Sequence, residues 1–177
     1  MKFRIIAVLV FLNISSASVY AAEKSLTEDR NIKTVTLDPK ELEGKLKAGV
    51  VLGYPWGITT GYRFSNFFEL NGTIGNDYYD FTTGVSGLFT ILDLKISHEI
   101  FPLSIGPAIY THFGHDDNDK HDGHDEYTKV DLLGVARFEY SFKQIPLNLF
   151  IEAGFGIQLV KFADTAGSFA VGIRYIF

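Results

Sequence analysis

The sequence predicts an all-β chain. It should close into an eight-stranded, antiparallel, up-and-down transmembrane β-barrel behind a short polar leader. Three observations lead there. Oily and polar residues alternate with a period of two over most of residues 45–177. The polar members of that alternation include full charges. The chain also ends on an aromatic strand, VGIRYIF. Successive side chains on a strand point to opposite faces, so a period of two means a sheet with two chemically different sides.

The opening MKFRIIAVLVFLNISSASVYAA reads differently. Lys2 and Arg4 precede a short apolar run, and Val19 and Ala21 suit a cleavage site. The run is too short to span a bilayer comfortably, so residues 1–21 are expected to be a secretory signal. Removing it takes Lys2 and Arg4 and moves the net charge from −5 to −7. A chain this acidic, with no basic cluster after the signal, lacks what phosphate contacts need, and nucleic acid is excluded as a partner. There is no cysteine, which removes disulfides, thiolate metal sites and lipoprotein processing.

Residues 22–44 are polar and unpatterned, and are expected to be a flexible periplasmic leader. Within them Asp38-Pro39-Lys40-Glu41 carries a helix start: an Asp cap, a proline at the first position and a Glu at the third. Gly44 is a natural stop.

The barrel is expected over 45–177, with strands near 45–53, 58–65, 67–76, 87–98, 103–113, 128–143, 147–161 and 167–177. The seventh is the clearest. Leu147, Leu149, Ile151, Ala153, Phe155, Ile157 and Leu159 share one face, and Asn148, Glu152 and Gln158 the other, with Phe150 as the exception. The sixth sets Leu132, Ala136, Phe138, Tyr140 and Phe142 against Asp131, Arg137, Glu139 and Ser141. The eighth sets Phe169, Val171, Ile173, Tyr175 and Phe177 against Ser168, Gly172 and Arg174.

Period two fits a soluble lipocalin-like carrier with an oily inside as well as a membrane barrel with an oily outside. The connections favour the second. Ser65-Asn66, Glu99–Pro102 and Gln144–Pro146 are brief. The alternate ones, GYPWG, NDYYDFTTGVSG, the tract from His112 to Tyr127 and KFADTAGS, include the two longest. Outer-membrane barrels pair short periplasmic turns with longer external loops. A terminal Phe177 with Tyr175 two residues back suits a membrane boundary and an assembly signal.

GVVLGYPWGITTGYRFSNFFELNGTIG, IPLNLFIEAGFGIQL and GSFAVGIRYIF together resemble a family of small outer-membrane barrels of undetermined function, known mainly from spirochaetes. The resemblance runs from about Leu46 to Phe177. It implies an eight-stranded barrel like those of small adhesion-type surface proteins, recognised by the barrel-assembly machinery. It brings no catalytic residues. The His/Asp tract is not part of the family's pattern.

Five candidate sites follow. Arg63, Arg137 and Arg174 can pair with Glu69, Glu139 and Glu152 across a lumen wide enough only for side chains, forming an ionic plug. His112, His115, His121 and His124 lie among acids, a donor set for weak divalent-metal binding. Between His115 and Glu126 the local charge is −5, so a hydrated external loop is the plainer reading. Asn118–Gly123 imitates a calcium loop, but Lys120 and Lys129 stand where oxygen ligands belong. Gly154 and Gly156 sit inside a strand and precede no helix, which argues against phosphate binding. Ser97 and His98 are adjacent on a strand and point apart, so they make no nucleophile–base pair.

The expectation is a non-enzymatic outer-membrane protein with lipid around it and an extracellular ligand at its loops. Asn76–Gly87 and His112–Tyr127 are the expected recognition elements. The alternatives are a small pore and a membrane-embedded lipid-modifying enzyme.

Overall fold

The computed structural model describes residues 36–77, 80–97, 99–115, 126–160 and 164–177. Its strands are β1 (Leu46–Tyr54), β2 (Trp56–Arg63), β3 (Phe68–Asp77), β4 (Asp80–Ile96), β5 (Glu99–His115), β6 (Glu126–Ser141), β7 (Leu147–Gln158) and β8 (Asp164–Ile176). Each strand pairs antiparallel with the next, and β1 pairs with β8 to close the barrel. Closure leaves no long free edge of the kind that invites aggregation.

The side chains are sorted as the alternation requires. Leu149, Phe155 and Phe169 are 39%, 71% and 55% exposed, while Arg137 and Glu152 are 2% and 4% exposed. The oily set faces out and the charged set faces in. A soluble barrel is built the other way round.

Three expectations change. NDYYDFTTGVSG is not a long loop. β3 ends at Asp77, Asp77 pairs with Asp80, and the following residues are barrel wall. Phe81 and Val85 face out while Asp80, Thr82 and Ser86 are buried. The period was present, but Asp, Thr, Gly and Ser read as turn composition. The connection between β1 and β2 likewise shrinks to Pro55, after a cis peptide bond with Tyr54. The contrast in loop length therefore rests on the connection 116–125 alone.

The leader is the third change. Residues 36–44 dock on the barrel. Asp38 caps a 3-10 turn over Pro39–Leu42, with Glu41 closing the capping box that the sequence showed. Leu42 is 1% exposed, and Gly44, at φ +75°, turns the chain into β1. Residues 1–35, the expected signal among them, lie outside the described residues, as do His98, His121 and His124.

Candidate functional site

The barrel interior carries two polar clusters, one at each end, with an apolar layer between them. The larger cluster is at the end where β1 begins and β8 finishes. Its members come from inward positions of six strands: Lys47 on β1, Arg63 on β2, Glu69 and Asn71 on β3, Arg137 and Glu139 on β6, Asn148 and Glu152 on β7, and Arg174 on β8.

Register brings some of these together directly. Arg63 stands opposite Glu69, Arg137 opposite Glu152, and Asn148 opposite Arg174. Other contacts cross the lumen. Glu69 holds Lys47 at 2.6 Å, Arg174 at 3.0 Å and Arg63 at 3.1 Å. Glu139 holds Lys47 and Arg174, both at 2.8 Å. Glu152 holds Arg137 at 2.6 Å and accepts from the Tyr110 hydroxyl at 3.3 Å. Asn71 Oδ1 accepts from Arg137 and Arg174, at 2.7 Å each.

All six residues of the sequence-predicted ionic set lie in this cluster. The sequence reading missed Lys47, Asn71 and Asn148 as partners. Each occupies the inward phase of its own strand, so extending the alternation through β1, β3 and β7 would have found them. Lys47 alters the balance of residues. Four basic side chains (Lys47, Arg63, Arg137 and Arg174) meet three carboxylates, a formal surplus of one cation in a buried space.

Phe150, the outlier of the seventh strand, points into the lumen. Its ring lies 4.6 Å from the Arg137 guanidinium and 4.8 Å from that of Arg174. Stacking on a ring lets a guanidinium lose water at low cost, because its faces bind water weakly. The ring needs space, and a Cβ on Gly172 would come within 2.3 Å of it. Gly84 seats Tyr110 in the same way, again at 2.3 Å. Leu88, Ala108, Leu133 and Val135 pack with Tyr110 to complete the apolar layer.

What such a core does for the molecule is specification more than net stability. Buried ion pairs repay their desolvation poorly. A one-residue slip of a strand, however, would turn that strand's charges to the outer face and strand their partners inside.

The second cluster sits at the loop-bearing end. His112 belongs to β5 and is 3% exposed inside the barrel. Its Nδ1 lies 3.0 Å from Thr82 Oγ1 and 3.5 Å from Asp77 Oδ2, and its Nε2 lies 3.1 Å from Asp131 Oδ2. The Tyr54 ring stacks on it with centroids 6.2 Å apart. At the rim, Tyr127 donates to Asp80 at 2.9 Å, and Lys129 lies 3.5 Å from the same carboxylate.

The candidate metal set is thus divided. His112 faces the lumen with both ring nitrogens engaged. His115 closes β5, and His121 and His124 lie outside the described residues. Among the described residues no three His, Asp or Glu side chains are grouped to hold a metal ion. Tyr175 and Phe177 face outward, in edge contact at 4.9 Å. The Phe177 N–H donates to Leu46 O at 2.8 Å across the β1–β8 seam.

Comparison with protein families, with curated proteins and with solved structures returned no match.

Proposed function

We propose that the chain is a bacterial outer-membrane barrel with a non-enzymatic role, serving as a structural or surface-binding protein. One observation carries the membrane half of this reading: an oily exterior wrapped around a charged interior. In water that arrangement would leave Ile58, Ile74, Phe155 and Phe169, all more than half exposed, against solvent. In a bilayer the same side chains meet hydrocarbon, and each strand pairs with a neighbour on both sides around the ring. Aromatic side chains mark both rims: Trp56, Phe81 and Phe113 at the loop end, and Tyr62, Phe64, Tyr175 and Phe177 at the other.

The surface-binding half draws on the interior. In the ionic core each carboxylate has at least one cation within 3.0 Å, and Phe150 and Tyr110 fill the space above. That leaves the loop end as the face for a partner, with the acidic connection 116–125 as its main element. The expected 76–87 element is reduced to its tip at residues 78 and 79.

Trp56 is the single tryptophan and stands outward at the rim, so it reports on the surroundings directly. In liposomes of brominated lipid its fluorescence should be quenched. Unquenched emission from correctly folded protein would remove the membrane reading. Protease added to intact cells should cut within 116–125. Protection of that loop while a known surface protein is cut would remove the surface-binding reading alone.

A further inference from the structure

The β5–β6 ladder runs from His115↔Glu126 to Leu103↔Phe138 and then stops. Both strands continue beyond that rung, β5 back to Glu99 and β6 on to Ser141. Continued in the same register, Phe101 would meet Tyr140 and Glu99 would meet Phe142. A different segment occupies the gap. Thr36 bridges to Phe142, the Leu37 N–H donates to Ser141 O at 2.9 Å, and the Ile100 N–H donates to Thr36 Oγ1 at 2.8 Å. Thr36 is 2% exposed, wedged between the two strands.

On the outer side the strands already touch. The Phe101 and Tyr140 rings are 5.2 Å apart, and the Tyr140 hydroxyl is 3.4 Å from Glu99 Oε2. These side chains stand in the register of the continued ladder, while the backbone groups beneath them are taken by the wedge. We propose that this end of the barrel has two mutually exclusive closures, and that Thr36–Leu42 is a releasable latch between them. In one closure, the structure described above, the latch is inserted. In the other it withdraws and β5 zips to β6 as far as Glu99↔Phe142.

The parts suit such a device. The Ile100 N–H and the Ser141 carbonyl have partners in either state: Thr36 and Leu37 with the latch inserted, and each other, as opposite residues, in the zipped ladder. Gly44, at φ +75° with nothing within 4 Å of where a Cβ would stand, gives the latch a hinge next to β1. Among the described residues its fastenings are the contacts of Thr36 and Leu37, the buried Pro39 and Leu42, the Gly44 N–H to Arg63 O bond at 2.8 Å, and an exposed Lys143–Glu41 pair at 3.4 Å. A pull on the chain before Thr36 would act on the Thr36 and Leu37 bonds first.

A cysteine pair distinguishes the states in the full-length refolded protein. In the zipped ladder, positions 99 and 142 are direct partners with Cα atoms about 4.5–5.5 Å apart, within disulfide reach. With the latch inserted a strand's width separates them, roughly two spacings of 4.8 Å. The pair E99C/F142C should therefore oxidise slowly when the latch is intact. Adding T36A and L37P removes one acceptor and one donor, and oxidation should quicken about tenfold. The converse pair T36C/F142C should close readily in the otherwise unaltered chain and slow with L37P. Equal rates for E99C/F142C in fastened and unfastened chains would overturn the proposal. If T36A/L37P does not fold, T36V, which loses only the hydroxyl, should give a smaller rise, and no rise would overturn the proposal as well.

Discussion

The formal surplus of one cation in the lumen makes a sharp contrast between two substitutions. Glu139→Gln keeps the shape of the side chain and removes one of three carboxylates. It leaves Lys47, Arg63, Arg137 and Arg174 against Glu69 and Glu152. Lys47 and Arg174, each 2.8 Å from Glu139, lose that charge partner, and Arg63 and Arg137, each at 3.7 Å, lose a neighbour. Removing one member of a buried pair strands the other, and the cost is about 3–5 kcal/mol. Lys47→Met acts in the opposite sense. It removes the surplus cation and leaves three against three. Glu69 keeps Arg174 at 3.0 Å and Arg63 at 3.1 Å, and Glu139 keeps Arg174. The expected cost is about 1–2 kcal/mol, that of one charged hydrogen-bonding group replaced by an apolar one of similar length. The double variant should cost less than the two separate losses together, because the residues share contacts. The assay is reversible urea unfolding of the refolded protein in liposomes, followed by Trp56 fluorescence and by the change in gel mobility on heating. The reasoning is refuted if Glu139→Gln and Lys47→Met cost the same, or if Glu139→Gln costs under about 1 kcal/mol.

Two further outcomes are expected in the same assay. Phe150→Ala should destabilise by about 3–5 kcal/mol, since it opens a cavity and unstacks Arg137 and Arg174. Gly84→Ala drives a methyl to within 2.3 Å of the Tyr110 ring and should cost about 1–3 kcal/mol; Tyr110→Ala in the same chain should make the pair cost less than the sum.

Much of the wall was legible because the alternation is local. Two-residue periodicity in β6, β7 and β8 needs no knowledge of distant chain, and it placed Arg137, Glu139, Glu152 and Arg174 on one face. It failed where composition and period disagreed. In 80–87, Asp, Thr, Gly and Ser read as a turn, yet they are the small inward residues that leave room for Tyr110. His112 was grouped with its neighbours in the His/Asp tract, although position 112 keeps the inward phase of Ser104, Ala108 and Tyr110. The docking of Thr36 was illegible, because nothing in a polar leader announces a gap between two strands far along the chain.

By itself, then, the sequence determined an all-β chain of about eight two-faced strands, which residues share a face, and the cap at Asp38. Those properties depend on neighbours one to four residues away. Only the tertiary structure decided which face encloses the other and who meets whom inside. Lys47 and Glu139 are 92 positions apart, and Arg174 and Glu69 are 105 apart. Closing β1 onto β8 brings them within 3.0 Å, and it also makes the charged face the inner one. A flat sheet has no inside. The ring creates one, and its bore admits only a small set of side chains that can satisfy one another.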